Sequence, residues 1–142
     1  MKLHRHHLFF LAATIAAGAL FDHGADDKNP PWEAPARAAK KKNPVAITDA
    51  SLARGREVYT KECASCHGDT GRGDGSGVKD LEVKPHDWSG GHLAGDTDGT
   101  LFWKITEGRK PMPSFAENYS DEDRWNVINY LRKITAQDAP KP

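Results

Sequence analysis

The sequence predicts an all-α domain of three to four helices. Two segments carry apolar residues at the spacing of an amphipathic helix, one starting near Asp49 and one near Ser120. A shorter segment of the same kind lies between them, at about 98–107. Glycine-rich and proline-rich stretches separate these helices. The folded domain is therefore expected to occupy residues 49–136, with residues 137–142 as a C-terminal tail.

Residues 1–20 have the pattern of an export signal. Lys2 and Arg5 precede an apolar run from Leu8 to Leu20, which ends in small residues that suit a signal peptidase. The run is shorter than the ~20 residues that span a bilayer comfortably, so a retained N-terminal anchor is the second interpretation. Export would place the folded domain in the periplasm.

Residues 21–48 are predicted to form a flexible tether. Their composition shifts to Asp, Pro, Ala and Lys, and the prolines exclude a long helix or strand. The run Lys40-Lys41-Lys42 suits a solvated linker, and contact with anionic lipid is the alternative.

The first helix of the domain begins where Thr48 or Asp49 can cap it. Its apolar face contains Leu52, Gly55, Val58, Tyr59 and Cys63. A glycine inside a helix costs about 1 kcal/mol relative to alanine. The cost of Gly55 is explained if another helix crosses closely at this point, and the last helix is the expected partner.

The stretch Cys63-Ala64-Ser65-Cys66-His67 is the attachment signature of c-type haem. On a helix, Cys63, Cys66 and His67 project from one face, so two sulfurs can bond the haem vinyl groups while the imidazole reaches the iron. The alternatives are a disulfide, half of a zinc site and a thioredoxin-like dithiol. A zinc site needs more soft ligands than this chain offers, and a redox dithiol normally lies beside a βαβ pattern, which is not found here.

Five glycines between Gly68 and Gly77 predict an irregular loop after the motif. Their spacing matches neither a dinucleotide fingerprint nor a phosphate-binding loop, so a nucleotide site is not expected. The short helix that follows is expected to end at Gly108. Its inward residues are Leu101, Phe102 and Ile105.

Met112 is the predicted second ligand of the iron. It is the only methionine besides the initiator, and Pro111 and Pro113 stiffen the loop around it. His86 and His92 are the rival ligands. A thioether favours ferrous iron, and histidine with methionine raises the haem potential. With both axial positions taken by protein, the site predicts electron transfer and no catalysis.

Three further residues have two interpretations each. The carbonyl of Pro85 can orient the other ring nitrogen of His67, or Pro85 is an ordinary turn residue. Trp88 and Trp103 can line the haem or bond a propionate through the indole NH, or they pack in the core.

The last helix has a start signal and a broad apolar stripe. Ser120 and Asp123 form a capping-box-like pair, and Asp121 and Glu122 suit a helix N-terminus. The stripe consists of Trp125, Val127, Ile128, Leu131 and Ile134. Such a stripe predicts packing against the first helix.

Positive and negative residues balance over the whole chain, at 20 each. Acidic residues outnumber basic ones from Asp49 onward, so the domain lacks the basic face that nucleic acid requires. The expected partners are redox proteins, a donor and an acceptor, that dock by electrostatics.

Together these residues resemble the class I cytochrome c family, in particular its small bacterial single-haem members. The resemblance covers Asp49 to Thr135 and rests on the helix-crossing position Gly55, on the attachment motif and on the Met112 loop. It implies a small all-α cytochrome c fold packed around one covalently attached haem c, with one haem edge exposed. The cofactor-binding residues would be Cys63, Cys66, His67, Met112 and Pro85.

The leading hypothesis is a monomeric periplasmic carrier that moves one electron between larger redox proteins. An electron-entry subunit of a membrane or dehydrogenase complex keeps the same chemistry and needs a retained apolar segment. A haem enzyme or gas sensor is the third hypothesis, and it requires a displaceable Met112.

Overall fold

The computed structural model describes residues 31–136, and this part of the chain is helical without β-strands. Five α-helices follow one another along residues 31–136, and two short 3₁₀ segments lie between the third and the fourth. The α-helices are α1 (Ala36–Ala39), α2 (Asp49–Glu62), α3 (Ala64–His67), α4 (Asp98–Glu107) and α5 (Asp121–Ala136). The 3₁₀ segments are Ser76–Val78 and Ser89–Gly95. The predicted all-α class is confirmed.

Helix α2 begins at a side-chain cap and packs against α5. The Thr48 hydroxyl accepts a hydrogen bond from the Ser51 amide at 3.1 Å, as the sequence predicted. Gly55 lies at the crossing of the two helices. A Cβ atom at Gly55 would lie 2.6 Å from the carbonyl carbon of Asn126 and 2.9 Å from Cβ of Tyr130. The predicted close crossing is therefore confirmed, because only glycine fits this distance.

Helix α5 starts at the predicted capping pair. The Asp123 amide donates to the Ser120 hydroxyl at 3.1 Å, and the Ser120 hydroxyl donates to the Asp123 carboxylate at 2.8 Å. The apolar stripe of α5 faces the other helices. The buried cluster consists of Val58, Tyr59, Leu93, Leu101, Phe102, Trp125, Val127, Ile128 and Leu131.

Helix α4 joins this core through stacked aromatic rings. The Phe102 ring lies 4.0 Å from the Trp125 ring with an interplanar angle of 17°. The Thr97 hydroxyl caps the start of α4 by accepting from the Thr100 amide at 3.1 Å, and Gly108, at φ 68°, ends the helix. The end predicted for this helix is confirmed.

Residues 31–48, named here the N-terminal strap, differ from the expected flexible tether because they pack on the domain. The side chain of Asn129, buried in α5, explains part of this packing. Asn129 accepts from the Asn43 amide at 2.8 Å and donates to the Val45 carbonyl at 3.1 Å. The composition of this segment predicted a tether, because composition carries no information about hydrogen bonds to a distant buried amide. The remainder of the predicted tether, residues 21–30, lies outside the described residues.

The predicted export signal or anchor at residues 1–20 and the tail at residues 137–142 also lie outside the described residues. Within residues 31–136, no helix is both long enough and apolar enough to cross a membrane.

Candidate haem site

The two cysteines and the histidine of the motif lie on a single helical turn. The Cys63 amide closes α2 by donating to the Tyr59 carbonyl at 2.8 Å. The Cys63 carbonyl then accepts from the Cys66 amide at 3.1 Å and from the His67 amide at 2.8 Å. Residues three and four apart on such a turn share one side. The structure therefore brings both sulfurs and the imidazole to the same side of the chain.

Both cysteines are free thiols, and each is half-buried. The disulfide interpretation is therefore not realised in the structure. Burial is the main cause that raises the pKa of the Cys63 thiol to about 12. The thiol stays protonated at neutral pH, and because it is not part of a disulfide it can bond a vinyl carbon.

Tyr59 fastens the end of the motif to α2. Its buried hydroxyl donates to the Gly68 carbonyl at 2.6 Å, directly after His67. Burial raises the pKa of Tyr59, so the phenol remains a donor at any physiological pH. This bond holds the imidazole-bearing turn in a fixed position against the first helix.

His67 has two features that are expected of a metal ligand. Its Nδ1 atom is buried and has no hydrogen-bond partner within the described residues. Burial also lowers the pKa of His67 to about 4, so the ring is neutral at pH 7. A neutral imidazole has one nitrogen lone pair that can bind iron while the other nitrogen carries a proton. The neutral ring fits an axial haem ligand, because one nitrogen would bind iron and the buried Nδ1 atom would be the nitrogen that carries the proton.

Trp88 covers one face of His67. The two rings are stacked with centroids 4.2 Å apart and an interplanar angle of 18°. The Trp88 amide donates to the Gly71 carbonyl at 2.8 Å, and a Cβ atom at Gly71 would lie 2.9 Å from Cε3 of Trp88. The glycine-rich loop therefore supplies the space in which the indole packs. The sequence offered haem lining, a propionate bond or core packing for Trp88, and the contact with His67 was missed.

Pro85 does not form the predicted hydrogen bond. Its carbonyl lies against Gly73, where a Cβ atom would come within 3.2 Å of the Pro85 carbonyl carbon. The Nδ1 atom of His67 has no acceptor, neither Pro85 nor another residue among those described. The imidazole instead contacts the stacked ring of Trp88, while the carbonyl of Pro85 lies against Gly73 of the glycine-rich loop.

Met112 is held by a tight turn after α4. The Met112 amide donates to the Arg109 carbonyl at 2.9 Å, and the Lys110–Pro111 peptide bond is cis. The chain then folds back over Gly108, where a Cβ atom would lie 2.5 Å from the Pro113 carbonyl carbon. Ser114 fixes the following residues by donating its hydroxyl to the Thr106 carbonyl at 2.6 Å.

Met112 and Cys63 line one pocket. Aliphatic and aromatic side chains form most of its wall, with a carboxylate and a guanidinium at its edge. The lining residues are Val58, Glu62, Cys63, Ile105, Met112, Phe115, Tyr119, Arg124 and Val127. The rival ligands His86 and His92 are exposed and do not line it. The structure therefore brings the predicted thioether ligand and one attachment sulfur together.

Arg124 is a buried charge that sequence reasoning missed. The residue is only 5% exposed, and its Nη1 atom donates to the carbonyls of Phe115, Ala116 and Tyr119 at 3.1, 3.0 and 2.6 Å. Its Nη2 atom pairs with Asp121. Three carbonyl bonds from one guanidinium fix the chain that follows Met112. An arginine at a helix start gave no signal for this role.

A helix pair that crosses at a glycine, with a Cys-x-x-Cys-His turn beside a methionine-lined pocket, defines one class of protein, and this chain is a small class I c-type cytochrome. It belongs to the family described as cytochrome c oxidase, cbb3-type, subunit III, whose family model matches residues 50–131. The cofactor of the cytochrome c family is haem c, and the site fits that group. The predicted family is confirmed.

Two curated relatives and one solved structure are among the proteins similar to this chain. The cbb3-type cytochrome c oxidase subunit CcoP of Azospirillum sp. (strain B510) is 35% identical over 99 residues, which are 65% of this chain and 31% of the relative. Cytochrome c6 of Picosynechococcus sp. is 31% identical over 88 residues, covering 58% of this chain and 72% of the relative. This chain therefore spans about a third of the oxidase subunit and most of the cytochrome c6.

The solved structure is the reducing HAO-like protein complex of Kuenenia stuttgartiensis. It superposes with a TM-score of 0.59 and 32% sequence identity, and the match covers 65% of this chain and 47% of that chain. This likeness agrees with the all-α cytochrome c fold.

The stacking of Trp88 on His67 leads to a test by acid titration. In a Trp88→Leu protein, water reaches the imidazole, and the pKa of His67 should rise from about 4 toward its ordinary value. If His67 binds the iron as the sequence predicts, a proton competes for the same lone pair, so the ferric haem protein should lose its native absorption spectrum at a pH about one unit higher than in the wild type. Trp88→Phe keeps an aromatic face and should restore most of the acid resistance. Equal titration midpoints in all three proteins would contradict the role of the stacked ring.

Proposed function

We propose that this protein carries one electron on a single haem c, as a periplasmic electron-transfer protein. The observation that carries the proposal is the shared pocket of Cys63 and Met112, next to the turn that holds Cys66 and His67. Bound haem supplies the iron that alternates between the ferric and ferrous states. The chain supplies the attachment, the two axial ligands and the low-polarity surroundings.

Cys63 and Cys66 form the two thioether bonds to the porphyrin. Their free thiols and their spacing on one turn support this assignment. Attachment at two points of a turn that Tyr59 also fastens leaves the imidazole of His67 little freedom to move away.

His67 and Met112 provide the axial nitrogen and the axial sulfur. The neutral ring of His67, with its buried Nδ1 atom, supports the first assignment, and the stiff turn around Met112 supports the second. The soft thioether stabilises the ferrous state, which raises the reduction potential. With both ligands in place, neither oxygen nor a substrate has access to an iron position. The protein then exchanges electrons without making or breaking ligand bonds.

The partners are a redox donor and a redox acceptor, and the carrier acts as a monomer. The export pattern of residues 1–20 supports a periplasmic location, either free or anchored to the inner membrane by an uncleaved segment. The second candidate function is an electron-entry subunit of a larger complex. It is favoured by one observation, the 35% identity to a protein named as a subunit of a cbb3-type oxidase.

Ferric and ferrous absorption spectra test the axial ligands. We expect a low-spin ferric spectrum with a methionine-to-iron charge-transfer band, and no binding of carbon monoxide to the reduced protein at neutral pH. Met112→Leu keeps the volume of the side chain and removes the sulfur, so covalent haem should be retained while the band disappears and carbon monoxide binds. Lys110→Ala, at an exposed position of the same turn, is the control and should match the wild type.

A high-spin ferric wild type that binds carbon monoxide readily when reduced would favour the haem enzyme or gas sensor and remove the carrier. Purification distinguishes the two carrier functions. A free carrier is recovered in the soluble periplasmic fraction with a processed N-terminus. An electron-entry subunit is recovered in the membrane fraction together with larger redox proteins.

A further inference from the structure

The N-terminal strap lies outside residues 50–131, the part of the chain that the family model matches. It nevertheless contacts two different parts of the domain. Its second half is anchored on α4 and α5, whereas its first described residues contact the turn that carries Met112.

The second half of the strap is anchored by a dense set of contacts. The Thr97 hydroxyl donates to the Ala39 carbonyl at 2.7 Å, and the Nζ atom of Lys41 lies 4.2 Å from the centre of the Phe102 ring. Asn43 donates to Asn129 at 2.8 Å. These contacts fix the strap in place, so its first half begins from a rigid base.

The first half of the strap brings Trp32 to the Met112 turn. The Trp32 ring meets Trp103 of α4 edge to face, with centroids 6.1 Å apart. The guanidinium of Arg109 lies 4.8 Å from the centre of the Trp32 ring, within the range of a cation–π interaction. The carbonyl of the same Arg109 accepts the Met112 amide at 2.9 Å. A single residue therefore links the indole to the backbone of the predicted axial ligand.

We propose that Trp32 is a positioning residue that holds the Met112 turn closed through Arg109. The strap then acts as a latch on the methionine side of the pocket. The methionine turn can open only if Arg109 moves with it, and the fixed indole opposes that movement. This inference rests on the proposed axial role of Met112. Loss of a cation–π contact of this kind should increase the population of the open turn on the order of five-fold.

Two measurements on the full-length haem protein test the latch. The first is the rate at which added imidazole removes the methionine-to-iron charge-transfer band of the ferric protein. The second is the hydrogen exchange of the Met112 amide in the ferrous protein, followed by NMR. The second measurement reports the opening of the turn whether or not the sulfur binds iron.

Trp32→Ala is expected to raise both rates about five-fold. Trp32→Phe keeps an aromatic face for Arg109 and should return both rates most of the way to the wild type. The matched control is Asn43→Ala, which removes the anchor at Asn129 and leaves the contacts of Ala39 and Lys41, nearer to Trp32 along the chain, to hold the first half of the strap. It should lower the thermal stability while leaving both rates within about two-fold of the wild type.

A double-mutant cycle with Arg109→Gln isolates the pair. If the indole acts through Arg109, the Trp32→Ala and Arg109→Gln double variant should open no faster than the faster single variant. The proposal would be overturned if the effects of Trp32→Ala and Arg109→Gln on the two rates were additive. It would also be overturned if Trp32→Ala and Asn43→Ala changed the rates equally. A wild type without the charge-transfer band would instead overturn the axial role of Met112, and the amide exchange would still decide whether Trp32 closes the turn.

Discussion

A Gly55→Val protein is expected to lose most of the stability of the domain. A Cβ atom at Gly55 would lie 2.6 Å from the backbone carbonyl carbon of Asn126, and backbone atoms cannot rotate out of the way. Helices α2 and α5 would have to separate along their whole contact. We expect a loss of about 3 kcal/mol or more, because overpacking at a rigid contact adds to the loss of buried apolar area. For a domain of this size, that corresponds to a melting temperature lower by roughly 15 °C.

The control for this prediction is Ala53→Val, at an exposed position of the same helix. It introduces the same β-branched side chain with its small helix penalty and no contact with α5. Thermal unfolding of the two haem proteins, followed by far-UV circular dichroism, provides the measurement. Melting temperatures within a few degrees of each other would show that α2 and α5 can move apart cheaply.

Replacing both attachment cysteines is expected to have the other large effect. A Cys63→Ala, Cys66→Ala protein expressed in the periplasm should lack covalent haem and most of its helical signal. A domain of under 100 residues buries little surface from its own side chains, so the haem has to complete the core. In this structure the pocket beside Cys63 is walled by Val58, Ile105 and Phe115, and these apolar side chains would then face water.

Haem staining of a denaturing gel and far-UV circular dichroism measure the two parts of this prediction. Ser65→Ala, an exposed substitution between the two cysteines, is the control and should keep both haem and helix. A double variant that remains fully helical and stable would show that the polypeptide folds without its cofactor.

Local patterns were enough to predict the helices that frame the site. Thr48 and Ser120 mark two helix starts through caps that involve only the next three residues, and such signals are readable in a sequence. Gly55 predicted the helix crossing, because a glycine inside a helix lowers stability unless a close contact requires it. Residue type and spacing were enough to predict the attachment motif, and the flanking prolines were enough to single out Met112, whose role as an axial ligand stays a prediction.

The features that could not be predicted depend on contacts between distant residues. The strap reads as a tether in composition, and only the buried amide of Asn129, 86 residues after Asn43, reveals why it packs. Trp88 reaches His67 because the glycine-rich loop turns back, and no periodic pattern describes that path. Arg124 donates to three backbone carbonyl groups. Every residue has such a group, so the sequence does not show which of them a side chain will reach.

Helix α2, which ends directly before Cys63, finds its packing partner in Asp121–Ala136, at the opposite end of the domain. During synthesis the domain therefore cannot close until residues 121–136 have emerged. Until then Cys63 and Cys66 follow a helix whose packing partner is still missing. The order of synthesis thus leaves the two thiols accessible to the enzymes that attach haem. This access ends when helix α5 packs against α2.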